Sequence, residues 1–353
     1  MNFNPDLFTF SDGSKVMCTN CWKRRRKEIL EILSREEYGR TPEKPEWVRG
    51  EELSSEGKCC SGHAELLKLQ ITFPAEKGEF AFPILLFKNV VKEKAPLILL
   101  INFRPDAYDM YFPAEEIIDH GFNLAVLYYE DVTKDNGDLK DGLAGMYERR
   151  NDGTDWGKIG MWAFAASRAM DYLSTLPFID SENATVIGHS RLGKTALWCG
   201  AQDERFKFVV SNDSGCGGAA YEREKHGSAE TVDAITTTFP FWFCENYRGY
   251  AGKAESMPFD QHFLLSLVAP RFLLVGSAED DLWADPLSEE LSCRAVTPVW
   301  ALFGLPGYIG PEGRAKPGED FSEGSVAYHI RDGIHFLGRP DWLRYLAFIE
   351  KHI

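Results

Sequence analysis

Six short apolar runs dominate the middle and end of the chain, and they limit its fold more than any other feature. They are "PLILLINF" (96–103), "FNLAVLYY" (122–129), "ATVIG" (184–188), "FKFVVSND" (206–213), "RFLLVGSA" (271–278) and "SVAYHI" (325–330). Each is of strand length, and the apolar residues run on rather than alternate. Strands buried on both faces of a parallel sheet read this way. Helical spacing fills the intervals: 156–176, a stretch from about Arg191, and the closing "WLRYLAFIEKHI". This alternation predicts an α/β fold, with a doubly wound, mostly parallel sheet and helices on both faces. Upstream, residues 22–38 read as an amphipathic helix with Ile29, Leu30, Ile32 and Leu33 on its apolar side. "AELLKLQITF" and "FAFPILLF" predict a hairpin at a sheet edge. A chain of 353 residues suits one large domain, 1–353, with 1–50 as a helical extension packed on it. Three connections, 130–155, 214–258 and 304–324, are too long to be simple loops. They are expected at one end of the sheet, where functional loops gather.

The formal net charge is −15 and the pI near 5.1, which argues against nucleic acid or an anionic membrane as partner. No apolar run is long enough to span a bilayer. The opening "MNFNPDLFTFSDGSKVM" has no basic stretch followed by an apolar one, so a cytoplasmic location is expected. A secreted form already trimmed of its signal would read the same. Of eight cysteines, Cys18 and Cys21 form a CxxC, but no second pair follows at the spacing a zinc site needs. They read as reduced thiols, and neither a metal nor an organic cofactor is expected.

"VIGHSRLGKTALW" (186–198) carries the chemistry. An apolar strand ends at Gly188, Ser190 follows, and a helix begins. A strand–turn–helix junction of this kind can lift a serine above the sheet as a nucleophile, although the second glycine of G-x-S-x-G comes one residue late, at Gly193. An ordinary serine N-cap is the plain alternative. Arg191 and Lys194 then stand in the first helical turn, where cations oppose the helix dipole by roughly 0.3–1 kcal/mol each. Beside a nucleophile they have a use. Arg191 can face a developing oxyanion, and Lys194 can bind hydroxyls of a polar substrate, which suits a sugar better than a lipid acyl chain. The order nucleophile, acid, histidine points to His335, on the loop before the last helix, as base. The acid has two possible homes: Asp213 after one strand, or Glu279, Asp280 and Asp281 after the next. One oxyanion donor is expected at the Arg191 N–H and another near Phe103 or Arg104.

The blocks "GHSRLGK", "DWGKIGMWAFAASRAMDYL", "SNDSGCGGAA", "FPFWF", "FDQHFLLSLVAPR" and "DLWADP" stand in that order before the late histidine loop. Together they resemble the glucuronoyl esterases, carbohydrate esterase family 15, in particular their bacterial members, over roughly residues 95–353. The resemblance implies an α/β-hydrolase fold and a serine carboxylester hydrolase acting on a carbohydrate ester through an acyl-enzyme. It implies Ser190 as nucleophile, His335 as base, Arg191 at the oxyanion, and Lys194 and Trp283 on the sugar. Asp213 falls where many members carry Glu, and Asp281, two residues before Trp283, falls where some bacterial members carry the acid. We take Asp213 first and Asp281 second. Fungal members have a disulfide between neighbours of the nucleophile and the histidine, whereas those neighbours here are His189 and Phe336. The segment after Asp213 has no clear match to the Gln and Glu that bind sugar in fungal members. Acetyl-xylan-esterase-like relatives share the blocks, so a carbohydrate deacetylase is the alternative activity. A hydrolase fold without activity, used for binding, is a third reading that the intact serine, histidine and acid oppose.

Overall fold

The structure is a computed structural model that describes residues 4–353. In chain order the strands are β1 (Arg49–Cys59), β2 (Ala64–Ala75), β3 (Gly78–Asn89), β4 (Ala95–Asn102), β5 (Asn123–Tyr128), β6 (Ile179–His189), β7 (Phe206–Asn212), β8 (Phe272–Ala278), β9 (Asp320–Phe321) and β10 (Val326–Arg331). They form one sheet in the order β1-β2-β3-β5-β4-β6-β7-β8-β10-β9. The six expected runs are its six parallel strands: β4 pairs with β5 and β6, β6 with β7, β7 with β8, and β8 with β10. The expected hairpin is β2 and β3, which joins the sheet antiparallel through β5.

Two apolar layers cover this sheet, and single strands feed both. Leu97, Leu99 and Ile101 of β4 face one layer, while Ile98 and Leu100 face the other. The first layer holds the helices Lys158–Leu173 and Arg191–Gln202; the second holds the short helix Ala114–Asp119 and the C-terminal helix Arg339–Lys351. The N-terminal helix, Thr19–Glu36, buries Trp22, Ile29 and Leu33 in the first layer, with Leu30 and Ile32 only partly buried. Arg26 ties that helix down by donating to the carbonyls of Ala201 and Leu267. Cys18 caps the same helix through its sulfur, and both it and Cys21 are free thiols.

Sequence reasoning left out β1, "RGEELSSEGKC". It is mostly exposed and polar, and its strand form comes from pairing with β2. The three long connections divide. Segments 130–155 and 214–258 reach the end of the sheet where Ser190 sits. By contrast, 304–324 lines a different cavity, of about 770 Å³, with the helix Pro286–Leu302. Glu290, Arg294 and Tyr308 of that cavity bond to one another. No residue of 304–324 lines the cavity at Ser190, although Arg314 of this segment pairs with Glu279, two residues before Asp281. This segment is held at the β10 edge by β9 and by the Tyr308–Val326 bridge.

Candidate active site

Ser190 stands between β6 and the helix Arg191–Gln202 with φ 58° and ψ −129°. A residue other than glycine pays roughly 1–3 kcal/mol to hold such a conformation, and strain of this kind concentrates at functional sites. The turn is fixed from both sides. The Ser190 N–H donates to the Asn212 carbonyl at 2.8 Å, and the Ser190 carbonyl accepts from Gly193 at 2.8 Å and Lys194 at 3.1 Å. A Cβ at Gly188 would lie 2.0 Å from the Leu192 carbonyl oxygen. At Gly193 it would lie 3.0 Å from the Ser214 Cβ and 3.2 Å from the Asn212 carbonyl. The late glycine thus leaves room for the chain leaving β7, which crosses close over this turn and would have to give by a few tenths of an ångström for any larger residue.

The serine opens onto a cavity of about 350 Å³. Arg191, Lys194, Asp213, Asp281, Trp283 and His335 line it with Ser190, so most of the expected site residues come together. Of the two expected acids, the second choice is the one that reaches the histidine: His335 Nδ1 lies 2.5 Å from Asp281 Oδ2. Asp213 stays within 4.8 Å of both residues but is turned elsewhere. Its Oδ1 accepts from the Ala278 N–H at 2.7 Å and its Oδ2 from Arg331 at 3.4 Å. Burial, then Glu289 and Asp281, push the Asp213 carboxyl well above its ordinary range, against the pull of Arg331. Among the described residues no hydrogen bond links Ser190 to His335. In unliganded enzymes that bond is often long and tightens with substrate.

The two cations are engaged rather than free. Arg191 pairs with Asp135 from the 130–155 segment, and its guanidinium lies 4.7 Å from the Trp242 ring centre. Trp242 in turn donates to Asp135 at 2.7 Å and stacks on Phe239 with ring centres 3.8 Å apart. The Nε of Arg191 is buried and has no hydrogen-bond partner among the described residues. Lys194 is buried and donates to the Ser214 carbonyl at 2.5 Å. Beside it lies the buried Glu230, whose carboxyl is raised by burial while Lys194 pulls it down. Trp283 is half exposed at the mouth. Phe103 does not line the cavity; its ring packs 5.6 Å from the Arg191 guanidinium, so the expectation of a donor there has no support in the lining.

Several residues had no signal of their own in the sequence. Asp135 lies in a polar loop that looks like any turn. Glu230 comes from the segment that showed no match for a sugar-binding acid. His189 is buried with its ring centre 4.4 Å from that of His335, and its Nδ1 is 2.9 Å from Asn212 Oδ1. Burial, with His335 next, pushes its pKa down to about 3, so it is a neutral wall behind His335. Tyr111 packs against both His189 and Phe336, the two positions that neighbour Ser190 and His335.

The family model for fungal glucuronyl esterases matches residues 69–304. The chain belongs to the glucuronoyl esterase family, carbohydrate esterase family 15. A carbohydrate esterase from an unknown prokaryotic organism is 31% identical, over 99% of this chain and 89% of its own length. A solved glucuronoyl esterase from Solibacter usitatus superposes with a TM-score of 0.90 at 35% identity, covering 99% of this chain and 97% of that one. A 4-O-methyl-glucuronoyl methylesterase from Schizophyllum commune is 28% identical, over 86% of this chain and 74% of its own length. The α/β-hydrolase fold and the carboxylic ester hydrolase class of this glucuronoyl esterase follow from that membership.

Proposed function

We propose that this glucuronoyl esterase hydrolyses an ester of glucuronic acid or 4-O-methyl-glucuronic acid, with Ser190, His335 and Asp281 as its triad. The observation that carries the reading is the lining of the cavity. A nucleophile and base share about 350 Å³ with Lys194, Glu230 and Trp283. Such a volume is at the low end for small-molecule sites. An ammonium, a carboxylate and an indole face together suit the hydroxyls and ring face of one sugar, and they fit an acyl chain poorly. That the Schizophyllum relative is named for 4-O-methyl-glucuronoyl esters supports the choice of acid.

In this reading Ser190 Oγ attacks the carboxyl carbon of the uronate and gives its proton to the His335 nitrogen not held by Asp281. The oxyanion is met by the Arg191 backbone N–H, one of the first-turn donors that a helix leaves unpaired, with the charge of the Arg191 guanidinium close by. His335 passes the proton to the alcohol as it leaves. A water then gives a proton to His335 and attacks the acyl-enzyme, releasing the uronic acid and restoring Ser190. The experiment compares benzyl or methyl glucuronate with acetylated xylo-oligosaccharides, using wild type and Ser190→Ala. Turnover of the glucuronate ester, lost in Ser190→Ala, is expected. A strong preference for the acetylated substrate would replace this reading with the deacetylase.

A further inference from the structure

The loop that carries the base, residues 332–338, has little regular structure of its own. One side chain binds its backbone at three points. Arg331, the last residue of β10, donates from Nη1 to the Asp332 carbonyl at 3.1 Å and from Nη2 to the Ile334 carbonyl at 3.1 Å and to the Phe336 carbonyl. Ile334 and Phe336 are the two neighbours of His335. The guanidinium is itself fixed by two buried carboxylates. Its Nε lies 3.0 and 2.9 Å from the two oxygens of Asp341, and its Nη2 lies 3.4 Å from Asp213 Oδ2. Asp341 is anchored in turn by His329 Nε2 at 2.9 Å and by the Gly338 N–H at 2.9 Å.

We propose that Arg331 is a positioning residue for the base: a single guanidinium grips the backbone on both sides of His335 and moors it to Asp213 and Asp341. The corollary concerns Asp213. It occupies the strand end where an acid was first expected, yet its carboxylate acts on His335 through Arg331 and does not touch it. A planar fork with five donors can serve two carboxylates and three carbonyls together, which an ammonium cannot. Arg331 touches neither substrate nor the reacting atoms, so it sets where His335 sits without changing what the pocket recognises.

The inference rests on His335 being the base and is read on 4-nitrophenyl acetate, a substrate that does not depend on the identity of the sugar. Ser190→Ala is the control: full activity there would defeat the reading of the triad itself, separately from the role of Arg331. Arg331→Lys and Arg331→Ala are the test variants. The expected result is a fall in kcat of between about tenfold and a hundredfold, the usual range for a displaced catalytic group, with KM within about twofold. Added ethylguanidinium should restore part of the activity of Arg331→Ala, and Asp213→Asn should cost less in the Arg331→Lys background than in wild type. Should Arg331→Ala fail to fold, Arg331→Lys carries the test, with its melting temperature recorded beside kcat. A kcat for Arg331→Lys within twofold of wild type would overturn the proposal. So would full additivity of Asp213→Asn with Arg331→Lys, because Asp213 would then act by a route of its own.

Discussion

Replacing Asp281 by Asn keeps the shape of the site and removes the charge that orients its base. The carboxylate now accepts from His335 Nδ1 at 2.5 Å, which leaves the other ring nitrogen free to take the Ser190 proton. An amide NH2 turned toward Nδ1 would stabilise the opposite tautomer and leave no lone pair for the serine. In a serine protease the same change lowers kcat by about 10⁴, or roughly 5.5 kcal/mol of transition-state stabilisation. Asp213→Asn is the comparison. With a separation of no more than 4.8 Å, an ionised Asp213 alone would stabilise the imidazolium by about 3.5 kcal/mol or more at an effective dielectric constant near 20. Arg331 keeps the real effect well below that figure. Its cation offsets the Asp213 charge, and burial favours the neutral carboxyl. The expected loss for Asp213→Asn is therefore no more than about tenfold in kcat, passed through the mooring of Arg331. The assay is kcat at saturating 4-nitrophenyl acetate, with circular dichroism melting to confirm that both variants fold. An Asp213→Asn loss equal to or greater than that of Asp281→Asn would refute the assignment. A double variant no worse than Asp281→Asn would show that Asp213 has no action apart from the triad.

Asp135→Ala should release the Arg191 guanidinium and lower kcat/KM by about ten- to a hundredfold, the value of a charged hydrogen bond, on glucuronate and acetate esters alike. A loss confined to the glucuronate ester would move Arg191 from the oxyanion to the sugar. Lys194→Ala should weaken glucuronate turnover most. It should also lower the melting temperature, because the buried Ser214 carbonyl loses its donor; equal small losses on both esters with unchanged melting would make the lysine incidental. Glu289 is buried, accepts from the N–H groups of Ser214 and Gly215 at 2.9 Å each, and has its pKa pushed up to about 7 by burial. A raised carboxyl pKa makes its contribution to stability full below the unfolded value near 4.5 and lost as pH rises through about 7. Glu289→Gln should accordingly flatten the fall in melting temperature between those two pH values, and an unchanged slope would assign it to other groups.

The parallel strands were legible because burial on both faces leaves an unbroken apolar record, and Ser190 because its junction has a local sequence signature. What escaped depends on neighbours distant in the chain. β1 is polar and becomes a strand through the partner it finds in β2. Asp213 and Asp281 follow adjacent strands and come within 4.8 Å of the same histidine, so spacing ranks neither. In the structure Asp213 accepts instead from the Ala278 N–H at 2.7 Å and from Arg331 at 3.4 Å, groups 65 and 118 residues further along the chain. Phe103 follows the last residue of β4, but its ring packs against Arg191 and it does not line the cavity.

The two cations at the start of the serine helix show how a local misfit becomes a site. On an isolated helix Arg191 and Lys194 would each oppose the dipole. In the folded chain each is met by groups from a long connection: Asp135 of 130–155 for Arg191, and the Ser214 carbonyl with Glu230 of 214–258 for Lys194. A desolvated cation needs such partners, because burying it unpaired would cost several kcal/mol. The connections are thereby drawn to one end of the sheet, and they bring Phe239, Trp242 and Glu230 with them to wall the cavity. The unfavourable charges and the long insertions are consequently one arrangement. A variant that neutralised Arg191 and Lys194 together should fray the walls of the pocket as well as weaken its chemistry. Faster hydrogen exchange in 130–155 and 214–258, with β4 and β7 unchanged, is the expected sign. Uniform exchange across the chain would mean that the connections are held by their own packing.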